Sequence, residues 1–172
     1  MKGDRKAQRL LYESNRVLWY TTSMRYSKDK QQADDIFQEG LIRIFNNLKS
    51  FDANKAKFST WSNKVLVSAA LRFLKKHNWK ISLTELNDGF QTQSDEESPL
   101  DSMALKEITA LIQELPLGYK LVFNMYAIEG YAHKDIAKEL GITISTSKSQ
   151  LFKARKMLKQ VIESRLKVSR YE

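Results

Sequence analysis

The chain has 172 residues, with 29 Lys and Arg against 20 Asp and Glu, a formal net charge of +9 and no cysteine. The missing cysteines exclude a disulfide framework, a thiolate nucleophile and a Cys-ligated zinc, and the length suffices for one substantial core or two small ones. No apolar run approaches the ~20 residues needed to cross a bilayer, and the basic N-terminus lacks the apolar stretch of a signal peptide, so the expectation is a soluble cytoplasmic protein with no membrane insertion.

The first predicted helix runs from about Ala7 to Tyr26, with Leu10, Leu11, Val17, Leu18 and Met24 on one face, and a polar break follows at Ser27 to Lys30. In the second, Ala33, Ile36, Phe37, Leu41, Ile44, Phe45 and Leu48 step by three and four. They leave Asp34, Asp35, Gln38 and Glu39 as an acidic edge near the helix start. Acids there suit the helix dipole, and the same edge in a basic domain also suits a docking surface. Physics alone leaves both readings open.

A loop with turn formers, lysines and aromatics, Phe51 to Thr60, precedes a third helix whose row Trp61, Val65, Ala69 and Phe73 is flanked by Leu66, Ala70 and Leu74. Rings beside cations at a loop-to-helix junction are what a single-strand site needs, to stack bases and to follow the backbone. Trp61, and less clearly Phe58, also fits a hydrophobic core. Residues from about 79 to 101 are polar, acidic and aperiodic, which reads as a linker.

Charge follows the same division. Residues 1–80 carry a net +10, residues 81–101 a net −6 with no base at all, and residues 102–172 a net +5. Two basic blocks around an acidic strip are the pattern of two polyanion-binding modules on a tether.

Beyond the strip, a helix opening near Asp101 places Leu105, Ile108, Leu111, Ile112 and Leu115 inward, Pro116 marks a boundary, and Leu121, Val122, Met125 and Tyr126 begin another. The run Tyr131 to Ile142 then reads as the first half of a helix-turn-helix: Ile136, Ala137 and Leu140 at helical spacing, and Gly141 as the positive-φ stop. Ser145 is expected to cap the second helix. Its stripe of Leu151, Ala154, Leu158 and Ile162 leaves Thr146, Lys148, Ser149, Phe152, Lys153 and Lys156 off the core, the chemistry of a helix laid in a DNA major groove.

Catalytic patterns are missing. The sequence has no phosphate-cradling glycine loop and no nucleophile elbow, and the adjacent acids Asp34-Asp35 and Glu96-Glu97 are a poor acid–base pair because neighbours on a helix diverge. His77 and His133 lie far apart and lack a ligand-type partner at i+4. The reading is a protein that is no enzyme and uses neither cofactor nor metal, with an all-α fold of two small helical domains on a flexible acidic linker, the second a four-helix helix-turn-helix module.

These motifs, in this order, resemble the extracytoplasmic-function (ECF) sigma factors, small two-domain initiation subunits of bacterial RNA polymerase in the sigma-70 family. The N-terminal resemblance rests on Ala33-Asp34-Asp35-Ile36-Phe37-Gln38-Glu39, Ile44-Phe45 and Phe51-Asp52 to Phe58-Ser59-Thr60-Trp61. The C-terminal part rests on Leu115-Pro116, Glu129-Gly130-Tyr131, Asp135-Ile136-Ala137, Leu140-Gly141-Ile142 and Thr146 to Lys156. It implies that residues 1–78 form a region 2 domain, 79–101 the linker and 102–172 a region 4 domain. Core polymerase, through its clamp helices and flap, would be the partner, with Asp34, Asp35, Gln38, Glu39 and Ile42 docking the clamp. Lys55, Lys57, Phe58, Ser59, Thr60, Trp61, Asn63, Lys64 and Ser68 would hold the single-stranded promoter −10 element with a base flipped out. Lys148, Ser149, Phe152 and Lys153 would read the −35 duplex with Thr146 and Lys156 beside them, and His133, Lys134 and Arg155 would take phosphates. The resemblance also implies an anti-sigma factor as partner.

Some positions depart from the family pattern. Ala132 replaces a common capping Ser, Ser147 a usual apolar residue and Ser68 a usual Asn. Two alternatives compete: a free-standing helix-turn-helix regulator, and a sigma factor recruited to promoters partly by another DNA-targeting partner.

Overall fold

The computed structural model describes residues 4–76 and 103–168, and among them every regular element is helical. The linker segment 79–101 and His77 lie outside the described residues. Three long helices come first: α1 (Arg5–Tyr26), α2 (Lys30–Asn46) and α3 (Phe58–Lys76), with a short 3₁₀ turn at Leu48–Ser50. Four more follow: α4 (Met103–Gln113), α5 (Leu117–Phe123), α6 (His133–Leu140) and α7 (Ile144–Val168). A π-helical turn, Asn124–Ile128, extends α5.

Local chemistry accounts for the starts. The Asp4 carboxylate accepts from the amides of Lys6 and Ala7, and Asp29 accepts from Gln32 N at 2.8 Å while the Gln32 side chain accepts back from Lys28 N. These close orphan donors at each N-terminus. Close packing of α2 on α3 depends on Gly40, where an added Cβ would stand 1.9 Å from Leu66 Cδ1, inside the buried cluster of Trp19, Ile44 and Leu66.

The helices form two groups, and the groups share a core. Tyr26, Val67, Leu71 and Leu74 of the first pack in one cluster with Leu121, Val122, Met125, Ile136 and Leu140 of the second. Every residue from Trp19 to Ser27 is therefore buried. Several expected inward residues are not: Leu10 is 68% exposed, and Leu18, Ile108 and Ile162 are exposed as well. The second helical group clasps the last two turns of α1, so its burial is set by what surrounds that end and not by one apolar stripe.

Candidate nucleic-acid and polymerase-docking surfaces

On α2 the docking candidates lie on one face, opposite buried Ala33, Ile36, Gly40 and Ile44. Its centre is an exposed ridge of Asp35, Gln38 and Ile42. Its flanks are engaged internally. Tyr20 Oη donates to Asp34 Oδ1 at 3.1 Å, and burial together with that carboxylate pushes the phenol up to about 12. Glu39 Oε1 accepts from Arg43 Nε and Nη2 at 3.0 and 2.6 Å.

At the loop before α3, the rings of Phe51, Phe58 and Trp61 form a triangle with centroids 5.3–5.6 Å apart. All three are half-buried. Phe58 also meets Trp19, whose indole N–H donates to Ser62 Oγ at 3.0 Å. The two readings of Phe58 and Trp61 thus combine: one side of the cluster is core and the other is accessible. Ahead of it Lys55 and Lys57 are exposed, and along α3 Thr60, Lys64 and Ser68 form an exposed row, with half-buried Ser59 at its start.

Asn63 departs from that row. It lies on the far flank of α3, where its Oδ1 accepts from Thr22 Oγ1 at 2.8 Å and its amide donates to Glu129 Oε2 at 2.5 Å. Glu129 in turn pairs with Arg25 at 3.0 Å. Burial holds the Glu129 carboxyl above its ordinary range, although Arg25 and Asn63 pull the other way.

The C-terminal group contains the expected helix-turn-helix. Gly141 sits at φ 68° and ψ 33°, and Ile142 N donates to Ala137 O, a Schellman-type end. The second helix starts earlier than its sequence suggests. Thr143, not Ser145, supplies the cap, its Oγ1 accepting from Thr146 N at 3.0 Å, because α7 begins at Ile144. Thr146 Oγ1 is drawn into the same cap.

Outward on α7 stand Lys148, Ser149, Phe152, Lys153, Arg155 and Lys156, all exposed, with Phe152 at 70%. This sets one large apolar ring among the lysines on the outward face of α7. Leu151 and Ala154 face the core. Ala132 provides no side-chain cap to α6, as its identity requires.

Ser147 is fully buried, and its hydroxyl meets His133 Nδ1 at 2.8 Å. The His133 ring stacks on that of Tyr126 at 4.4 Å, and the Arg155 guanidinium lies 5.8 Å from the Tyr126 ring. Burial first, then the nearby Lys148 and Arg155, holds the imidazole below its ordinary range. Lys134 is exposed beside it. Tyr126, and Tyr119 under Lys153, support the cationic face. Periodicity placed Tyr126 only as part of a helix and did not single out Tyr119, because stacking under a cation depends on residues from another helix.

Comparison with known proteins decides the family. Residues 11–80 match the family model Sigma-70 region 2, and residues 105–158 match Sigma-70, region 4. The ECF RNA polymerase sigma factor SigM of Bacillus subtilis is 30% identical over 146 residues, covering 84% of this chain and 87% of its own. The chain belongs to the ECF sigma factors of RNA polymerase. The RNA polymerase sigma-H factor of Pseudomonas aeruginosa is a further relative of this sigma factor, 26% identical with 96% and 91% of the two chains covered. In fold the sigma factor is similar to RpoE of Bartonella quintana, solved in complex with the anti-sigma factor NepR, with TM-score 0.55, 16% identity and 95% and 98% coverage. Among the described residues no helix is long and apolar enough to cross a membrane.

Proposed function

We propose that this sigma factor divides promoter recognition between its two helical groups, with residues 1–78 as the region 2 domain, 79–101 as linker and 102–172 as the region 4 domain. The Asp35, Gln38 and Ile42 ridge docks the core polymerase clamp, with Asp34 and Glu39 shaping its edges. The Phe51, Phe58 and Trp61 cluster accepts an unstacked −10 base, and Lys55, Lys57, Lys64, Thr60 and Ser68 follow that strand. The outer face of α7 reads the −35 duplex, with Lys134, His133 and Arg155 on its phosphates. The protein has no catalytic chemistry of its own and works in the cytoplasm by binding one promoter strand in preference to the duplex. An anti-sigma factor is its regulator, on the model of the NepR complex of the structural relative.

The observation that carries this reading is the exposed Phe152 among Lys148, Ser149 and Lys153 on the second helix of a motif matched to region 4. Pulldown of cognate core polymerase with the purified protein, followed by run-off transcription from a genomic fragment library, tests it. Capture and discrete new starts are expected. The variant Asp35→Lys is expected to lose capture with an unchanged circular dichroism melt; undiminished capture would remove the docking assignment, and tight duplex binding without any capture would favour a free-standing regulator.

A further inference from the structure

We infer that Ser147 is a positioning residue for the −35 contact: its hydroxyl decides which ring nitrogen of His133 carries the proton, so that Nε2 offers an N–H to a promoter phosphate. This rests on the reading above and deepens it by assigning the group that aims one phosphate donor. Ser147 lies in the first turn of α7, where its amide donates to Thr143 O at 3.0 Å, and its side chain is fully buried. His133 opens α6 and is half-buried. The 2.8 Å contact between Ser147 Oγ and His133 Nδ1 therefore ties the first turns of the motif's two helices together.

Burial of the hydroxyl fixes the direction of that bond. The Ser147 proton needs an acceptor, because a dry and unpaired O–H is costly. Among the described residues, the Ser147 hydroxyl meets no acceptor other than His133 Nδ1. Nδ1 then accepts, and a neutral imidazole whose Nδ1 accepts carries its one proton on Nε2. The opposite tautomer would have Nδ1 donate to Ser147, strand the serine proton and turn a lone pair on Nε2 toward the phosphates. Burial, with Lys148 and Arg155 nearby, holds the imidazole below its ordinary range and so favours the neutral ring in which this choice exists.

The ring is held on a second side as well. It stacks on Tyr126 with 21° between the planes, and the Arg155 guanidinium reaches over Tyr126 from α7. With Nδ1 turned to a buried group, Nε2 lies across the ring on the accessible side. Lys134 of α6 and Lys148 and Arg155 of α7 are exposed on the same part of the motif. The imidazole differs from them in kind: it donates to one phosphate oxygen along a fixed direction and carries no charge, so it sets register on the duplex and releases no counterion.

The chain has two histidines, so His77→Gln leaves His133 as the single imidazole in long-range proton–nitrogen NMR spectra of the full chain. At about pH 8, above the ordinary imidazole range, the Nε2–H tautomer alone is expected, and adding Ser147→Ala is expected to give a mixture of both. Binding of the polymerase holoenzyme to a promoter fragment from the run-off selection is expected to weaken about tenfold in His133→Ala and about threefold in Ser147→Ala, with −35 sequence preference and salt slope unchanged. In His133→Gln the amide nitrogen stands in for Nε2 and donates without a partner, so this variant is expected to bind close to wild type and to lose nothing further when Ser147→Ala is added. An Nδ1–H tautomer with Ser147 in place, or an equal loss from Ser147→Ala in both backgrounds, would overturn the proposal. Loss of binding in Lys134→Ala and Phe152→Ala with full binding by His133→Ala would overturn this proposal alone, whereas full binding by all three would remove the −35 reading and this contact with it.

Discussion

Arg25 Nη2 and Glu129 Oε1 meet at 3.0 Å between residues 104 positions apart, with side chains 7% and 8% exposed. A pair this deep is costly to dissect, because removing one partner leaves the other charged, dry and unpaired. Glu129→Ala is therefore expected to destabilise the folded chain by about 3–5 kcal/mol, and Arg25→Met/Glu129→Leu by less than that single change. Urea denaturation of wild type, both singles and the double checks this. A double variant weaker than either single would show that the pair is not the coupled unit described.

Lys120 is 1% exposed, and burial lowers its ammonium to about 8 from 10.5, with Asp29 opposing the shift. A lysine depressed in the folded state costs most where both states are protonated, below pH 8. Between about pH 8 and 10.5 the folded chain sheds a proton that the unfolded chain keeps, so stability contributed by this site rises with pH. The gain is at most about 1.4 kcal/mol per pH unit. The stability of wild type relative to Lys120→Met is expected to climb between pH 8 and 9.5; a flat difference would mean that Lys120 is not depressed. Taking the difference cancels the tyrosines, which begin to ionise in the unfolded chain near the upper limit.

Such contacts explain what the sequence made legible and what it did not. Periodicity located α2, α3, α6 and α7, because each packs one apolar face, and Gly141 and Pro116 marked real boundaries. The exposed basic face of α7 was readable because Lys148, Phe152 and Lys153 fall off the Leu151 and Ala154 stripe. The contact between the two helical groups was not. Arg25, Lys120, Gln113 and Asn124 are polar residues that local pattern assigns to solvent, and their burial arises from a partner about ninety or more residues away. Asn63 was assigned to DNA by the family resemblance, yet the helix turns it toward Glu129.

Ser145 is the cap expected from sequence, yet it is Thr143 that accepts from the α7 backbone, at 3.0 Å. Thr143→Ala is expected to cost about 1 kcal/mol and to increase amide exchange in the first turn of α7. Ser145→Ala, at an exposed position inside the helix, should be close to neutral. Equal effects from both would mean that the helix starts later than Ile144.

On the proposed reading, Phe152 and Lys134 make the two different kinds of DNA contact. Lys134 is exposed at the start of α6 and is assigned to a phosphate, so Lys134→Ala should weaken promoter binding by the polymerase holoenzyme at all sequences alike. It should also lower the salt dependence by about 0.9 in the slope of log K against log salt. Phe152 is 70% exposed and carries no charge, so Phe152→Ala should leave that slope unchanged. Its loss should instead reduce discrimination at one −35 position by about 1–3 kcal/mol, the worth of a good base contact, and most where a thymine methyl meets the ring. Binding of the two holoenzyme variants to a −35 substitution series, repeated at three salt concentrations, distinguishes them. If both variants changed the slope and neither changed the sequence preference, α7 would be a backbone-binding helix and the −35 reading would lie elsewhere.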